Sequence, residues 1–261
     1  MGTGHSHGAT AAAGHRTRLV AVLAITAVVL VVQVVGGLWS GSLALLADAG
    51  HMAADTAGIA AALIATSLAA RPATSARTYG LQRAEILAAF GNALLIGWVA
   101  LWVLVEAVRR WNAPGEIDTG VMLTIALVGA AANTVGLLLL RPGQQESLNV
   151  RGAYLELFGD LLGSVAVIVA AVVIATTGYT RADAVASAAI ALMILPRAWR
   201  LLRDVLDVLL EATPRGVDLA HVRAHICAVR GVVDVHDLHA WTITSGVPVL
   251  SAHVVVDAEC I

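Results

Sequence analysis

Apolar residues run along the chain in long blocks, and most polar residues fall between those blocks. A helix that crosses a bilayer needs about 20 predominantly apolar residues. That criterion predicts six spans before residue 205, at 18–38, 43–69, 84–108, 118–140, 152–177 and 182–202. The separators carry turn chemistry or charge: Gly36 to Gly41, Arg71-Pro72 to Arg83, Arg110 to Asp118, Arg141-Pro142-Gly143 to Arg151, and Thr176 to Tyr179. The first block is long enough to span and has no short apolar region followed by a cleavage site, so it is expected to be a retained helix rather than a signal peptide. Past residue 204 the period changes. Leu219, Val222, Ile226 and Val229 recur at helical spacing, after which VVDVHDLHAWTI and VPVLSAHVVVD alternate like two strands around Ser245-Gly246. About fifty residues with two strands make a poor independent core, so this α/β unit is expected to be incomplete.

The predicted organisation is therefore a disordered, Gly-, Ala- and His-containing tail over 1–17, a six-helix membrane domain over 18–204, and a small α/β unit over 205–261. Composition agrees. The 261 residues are 59% hydrophobic and 13% charged, with a mean hydropathy of +0.83, which is outside the range of soluble domains and makes the bilayer a partner. The net charge of −2 provides no basic excess, and nucleic acid is excluded as a partner. Cys227 and Cys260 lie outside every span, and no disulfide framework is implied.

All basic residues are arginine, and their distribution sets the expected orientation, because Lys and Arg accumulate on the cytoplasmic side. With the N-terminus inside, the inner segments hold Arg16, Arg18, Arg71, Arg77, Arg83, Arg141, Arg151, Arg197, Arg200 and Arg203. The outer segments hold Arg109, Arg110 and Arg181. Six spans then return the C-terminus to the cytoplasm, although the Arg109-Arg110 pair runs against the bias.

Ionisable residues change the picture most. An acid at the centre of a span costs about 2.5–3.5 kcal/mol on insertion scales and calls for a partner and a function. Two spans carry such groups deeply: the second has Asp48, His51 and Asp55, and the fifth has Glu156 and Asp160. His51 and Asp55 stand at i and i+4, as do Glu156 and Asp160, so each pair occupies one helix face about one turn apart. Two such faces turned together supply one nitrogen and three carboxylates, a tetrahedral site for a divalent cation. Among the nine histidines His51 alone lies in a span; His5, His7 and His15 are in the tail, and His221, His225, His236, His239 and His253 are in the C-terminal unit.

Other polar residues have plainer explanations. Glu85, Glu106 and Asp183 lie near helix ends, where they are expected to reach the interface or pair with nearby arginines. Asp48 is expected to bond a neighbouring helix or line the outer vestibule. The tail histidines are expected to be solvated. No arginine falls inside a predicted apolar core, which leaves metal or protons to partner the buried acids. Gly50 and Gly58 on the second span, and Gly152, Gly159 and Gly163 on the fifth, are expected to let the two backbones approach.

Four stretches, SGSLALLADAGHMAAD, RTYGLQRAE, LNVRGAYLELFGDLLGSV and the VHDLHAW to SAHVVV hairpin, resemble the cation diffusion facilitator family, in particular its bacterial zinc, cadmium and cobalt exporters. The resemblance runs in order along nearly the whole chain from about residue 18. It implies a six-helix all-α transmembrane domain, cytoplasmic termini in the inner (cytoplasmic) membrane, a ferredoxin-like cytoplasmic metal-binding domain, and a homodimer that exchanges divalent metal for protons. It implies no enzyme activity and no cofactor beyond a structural or regulatory zinc in the cytoplasmic domain. Residue by residue, it puts metal ligands at His51 and Asp55, at Glu156 and Asp160, and at His236 and His253. Zinc exporters of the family usually have His-Val-Leu-Gly-Asp where this chain has Glu156-Leu157-Phe158-Gly159-Asp160. The loop RPGQQES contains no histidine, and the family's cytoplasmic domain continues with a further helix and strand.

Metal binding requires deprotonated imidazole and carboxylates, so metal and protons compete for the same lone pairs, and competition at one site suffices for antiport. His51 is the expected proton carrier, since an imidazole titrates in the physiological range; Glu156, crowded by two carboxylates, is a second candidate. Zinc is the expected cargo, with cobalt and cadmium next. A manganese or iron(II) exporter is the alternative, because three carboxylates make a harder site. A membrane metal sensor and an intramembrane metalloenzyme are more remote: sensing does not need six spans, no His-Glu-x-x-His occurs, and four protein ligands leave no position for water.

Overall fold

In the computed structural model, which describes residues 6–145, 148–244 and 246–257, six long helices precede a short helix and a hairpin. They are α1 (Ser6–Ser40), α2 (Leu43–Ala69), α3 (Ala84–Asn112), α4 (Thr119–Leu140), α5 (Leu148–Thr177) and α6 (Arg181–Leu209), then α7 (Leu219–Cys227), β1 (Val232–Thr244) and β2 (Val247–Val256). A 3-10 turn over Arg141–Gly143 follows α4. All six long helices are long and apolar enough to cross a membrane. Large apolar side chains such as Val28, Leu38, Leu63, Trp98, Leu138 and Leu192 face outward, as a lipid solvent requires.

Helix ends differ from expectation in three places. Gly36 to Gly41 was expected to separate the first two spans, but α1 continues to Ser40 and the connection shrinks to Gly41 and Ser42. Gly41, at φ 72°, makes the reversal that a side chain would resist. At its other end α1 starts at Ser6, so residues expected to be a disordered tail continue the helix; Ala9 and Ala11 to Ala13 are strong helix formers. His5, and the side chains of His7 and His15, lie outside the described residues, as does Cys260. Finally, α6 runs to Leu209 rather than 202, which places Arg197 well inside a helix.

The chain divides into two compact units. The first comprises residues 1–56 and 95–197. Within it α1, α4 and α5 pack around Val22, Leu137, Leu140, Val150 and Leu157. Leu43, Ala107 and Ala184 close a smaller core among α2, α3 and α6. Asp118 caps α4 by accepting the N–H groups of Gly120 and Val121.

The second unit comprises residues 57–94 and 198–261. It contains the expected helix and antiparallel hairpin, with α7 capped by Asp218. Arg83 pairs with Glu211 at 2.8 Å. Glu85, expected at an interface or beside an arginine, instead accepts a 2.6 Å hydrogen bond from the Thr244 hydroxyl.

Candidate metal sites

The first turn of α2 is fixed before any candidate metal ligand is reached. Asp183, near the start of α6, is buried; its carboxylate accepts from the Ser42 hydroxyl at 2.6 Å and from the backbone N–H groups of Leu43 and Ala44 at 2.8 and 3.2 Å. A carboxylate so placed caps α2 and meets the positive end of its dipole. The expectation that Asp183 reaches the interface is thus corrected. It does pair with an arginine, Arg110, at 3.7 Å. Glu106 pairs as expected, with Arg109 at 3.6 Å and Arg110 at 3.4 Å, and Arg110 also donates to the Gly41 carbonyl. Of the two arginines that ran against the charge bias, Arg110 ties α3 to the start of α2, while Arg109 pairs within α3.

Two turns further along α2, the structure brings the expected ligands together: His51, Asp55 and Asp160 meet directly, and Glu156 adjoins Asp55. Nε2 of His51 lies 3.4 Å from Oδ2 of Asp55 on its own helix and 3.8 Å from Oδ1 of Asp160 on α5. Asp160 is buried, and the side chains of His51 and Asp55 are 12% and 11% exposed. Among the described residues, Nδ1 of His51 and Oδ1 of Asp160 are buried with no hydrogen-bond partner, which is unusual for strong polar atoms and suits groups that take a cation or a proton.

Glu156 is held differently. Nη2 of Arg197 lies 3.7 Å from its Oε1, while Nη1 of the same guanidinium lies 3.4 Å from Oδ2 of Asp55. The expectation that no arginine reaches the buried acids is therefore wrong. It placed Arg197 in a cluster near the end of the sixth span, where α6 in fact continues. Side chains tilt toward the N-terminus of their helix, and a long arginine uses that tilt to carry its charge back from the helix end toward the acids.

Polar groups beyond these four extend the site. Asp48, also buried, accepts a 2.7 Å hydrogen bond from the Gln33 side chain on α1, as expected for a bond to a neighbouring helix. Asn133 on α4 and Ser164 on α5 are buried as well. Gln33 and Asn133 went unremarked in the sequence, yet Gln33 stands alone among Val, Leu and Gly and Asn133 has only Thr134 as a polar neighbour, the signal that intramembrane polar residues give. Of the glycines expected to bring α2 and α5 together, only Gly163 does so: a Cβ there would sit 2.8 Å from Oδ1 of Asp48. Gly50 faces Val99 on α3, Gly58 faces Asn92 on α3, and Gly152 and Gly159 face open space.

In the hairpin, His236 and His253 are direct cross-strand partners with ring centroids 5.2 Å apart. Asp237, which the sequence reading passed over, joins them: its Oδ2 lies 3.1 Å from Nδ1 of His236 and 3.3 Å from Nδ1 of His253. In a regular strand, residue 237 would face away from 236. Here an extra residue between the pairs His236/His253 and His239/Ser251 bulges β1, and Asp237 adopts φ 50°. That turns its carboxylate back to the histidine face. Among the described residues, these three form a cluster whose ligand atoms all lie within 4.8 Å of one another. The hydrogen bond with His236, and the charges of both histidines, hold the Asp237 carboxyl below the usual carboxylate range. His239 stands outside the cluster, beside Trp241 along a separate hollow.

Residues 19–210 match the cation efflux transmembrane domain, and residues 214–260 match the cytoplasmic domain of cation efflux proteins. The chain is 47% identical to the metal cation efflux system protein CzcD of Cupriavidus metallidurans, covering 98% of this chain and 81% of that protein. It is 42% identical to the zinc transporter ZitB of Escherichia coli over 96% of this chain and 82% of ZitB. It is 37% identical to the cadmium, cobalt and zinc/H(+)-K(+) antiporter of Bacillus subtilis over 99% of this chain and 82% of that protein.

Proposed function

The chain belongs to the cation diffusion facilitator family of cation efflux transporters, and from that premise we propose that it exports divalent metal in exchange for protons. Zinc is the main cargo, with cobalt and cadmium as further substrates. The names of the relatives support both the metals and the proton coupling.

The membrane ligands are His51, Asp55, Glu156 and Asp160, within a transport domain over 18–204. The observation that carries this reading is the meeting of His51 with Asp55 and Asp160 from two helices inside an apolar bundle, with polar atoms left unbonded. A divalent cation draws the imidazole nitrogen and the carboxylate oxygens onto one centre. Protons arriving from the other side compete for the same lone pairs and release it. Asp48 and Gln33 continue the polar route beyond the ligands.

The C-terminal unit over 205–261 is cytoplasmic and holds a second metal through His236 and His253, with Asp237 as a third ligand. It is the part through which two copies associate as a homodimer. Both termini face the cytoplasm, and the membrane is the cell's inner one.

The test is metal flux in proteoliposomes under an imposed pH gradient. Asp55→Ala and Asp160→Ala are expected to reduce zinc flux to background. Undiminished flux in either would overturn the assignment of the membrane ligands.

A further inference from the structure

We propose that Arg197 is the built-in counter-charge of the membrane ligands, fixed beside Glu156 and Asp55 so that the three ligand carboxylates are balanced when they hold a divalent cation. This rests on the reading of His51, Asp55, Glu156 and Asp160 as the ligands.

Charge is the starting point. Asp55, Glu156 and Asp160 together bring three negative charges, and a divalent cation with a neutral imidazole answers two of them. A loaded site would keep one uncompensated negative charge in a low-dielectric bundle, where opposite charges attract far more strongly than in water. Such a site captures metal well and releases it poorly.

Arg197 supplies the missing charge. Its guanidinium spans two of the three carboxylates, with Nη1 3.4 Å from Asp55 and Nη2 3.7 Å from Glu156. A guanidinium keeps its proton at every physiological pH and presents a fork of donors. Each carboxylate also has more lone pairs than one metal bond uses. The guanidinium and the metal can therefore share the two acids. Its side chain is 45% exposed, so it approaches from the rim and leaves the interior, where His51 and Asp160 lie, to the cation.

Glu156 and Arg197 are then one functional unit: the extra acid strengthens capture, and the arginine restores the balance that release needs. Removing either alone unbalances the site in opposite directions, and removing both restores neutrality.

The experiment is a double-substitution cycle in proteoliposomes, at mildly alkaline pH, with zinc affinity measured in detergent on the same proteins, all carrying His236→Ala/His253→Ala so that only the membrane site is read. Arg197→Gln is expected to bind zinc about tenfold more tightly and to turn over several-fold more slowly. Arg197→Lys, which keeps the charge but loses the fork that reaches both acids, is expected to fall between wild type and Arg197→Gln in both readouts. Glu156→His alone is expected to bind more weakly and also to turn over slowly. In Glu156→His/Arg197→Gln, turnover recovers toward wild type.

A double variant whose turnover is the product of two independent losses would overturn the proposal, as would Arg197→Gln binding zinc no more tightly than wild type. Asp160→Ala, which leaves the pair intact, separates the two readings. If it abolishes zinc binding while the cycle shows no rescue, the counter-charge idea alone fails. If it binds zinc like wild type, the ligand assignment fails with it.

Discussion

Asp183 is predicted to hold the metal-binding helix in place although it touches no ligand. Asp183→Ala removes acceptors at 2.6, 2.8 and 3.2 Å from Ser42, Leu43 and Ala44, and the partner of Arg110 at 3.7 Å. Hydrogen bonds to a charged group contribute about 1.5–3 kcal/mol each, and breaking a buried ion pair costs about 3–5 kcal/mol. These effects do not add, because they share one carboxylate. Arg110 is also 24% exposed and keeps Glu106 at 3.4 Å, which lowers the cost of losing Asp183. The expected destabilisation is about 3 kcal/mol, against about 1 kcal/mol for loss of an ordinary N-cap. Asp183→Asn keeps one acceptor oxygen and should lose about half as much. Equilibrium unfolding in mixed micelles, followed by tryptophan fluorescence, measures both. Since α2 carries Asp48, His51 and Asp55 just beyond this cap, Asp183→Ala should also weaken zinc binding without abolishing it. Stability within about 0.5 kcal/mol of wild type would refute the reasoning.

Three further outcomes follow from the geometry. Gly163→Ala would put a Cβ 2.8 Å from Oδ1 of Asp48, so the Gln33 to Asp48 bond or the packing of α5 on α2 must give. The expected result is a loss of about 1–3 kcal/mol of stability together with reduced flux, and a variant that transports and unfolds like wild type would show that the approach is not tight. Glu156→His replaces a hard oxygen donor with nitrogen and should raise the preference for zinc over manganese in competition flux; an unchanged ratio would assign selectivity to geometry instead. Asp237 should titrate below the ordinary carboxylate range, because its neighbouring histidines favour the charged form. A lowered pKa means that the Asp237 contacts stabilise the hairpin above the unfolded value, and that this contribution is lost as pH falls from there through the folded value. Carboxyl-carbon NMR should show the midpoint move up in His236→Gln/His253→Gln; an unmoved midpoint would sever Asp237 from the pair.

How far the sequence could be read depended on whether a feature was local. The six spans were legible because lipid exposes the apolar pattern directly, and the candidate ligands on α2 and α5 stood out because i and i+4 spacing fixes a shared face. The resemblance put ligands at His236 and His253, but their direct pairing depends on two register shifts between them and the turn, which alternation alone does not foretell. Long-range relations were not legible in the same way. Arg197 looked like part of a solvated cluster, since nothing local says that α6 continues to Leu209 or that the side chain turns back. An interface or an arginine was expected for Asp183, and Arg110 meets the second, but its cap on α2 was not legible because those partners lie more than a hundred residues away. Asp237 was hidden by a bulge, which breaks the alternation on which the strand reading rests. Gly163 meets α2 as expected, but Gly50 and Gly58 were assigned to the wrong neighbour because small residues mark a close approach without naming the helix that makes it.

The most direct test of the account is zinc binding with simultaneous proton counting. The measurement is titration calorimetry in buffers of different ionisation enthalpy, on protein whose hairpin cluster has been removed by His236→Ala/His253→Ala. The membrane site should still bind zinc, release protons as it does so, and lose both the binding and the proton release when Asp160→Ala is added. Zinc binding that persists with Asp160 replaced, or that releases no protons, would contradict a shared site for metal and protons on α2 and α5.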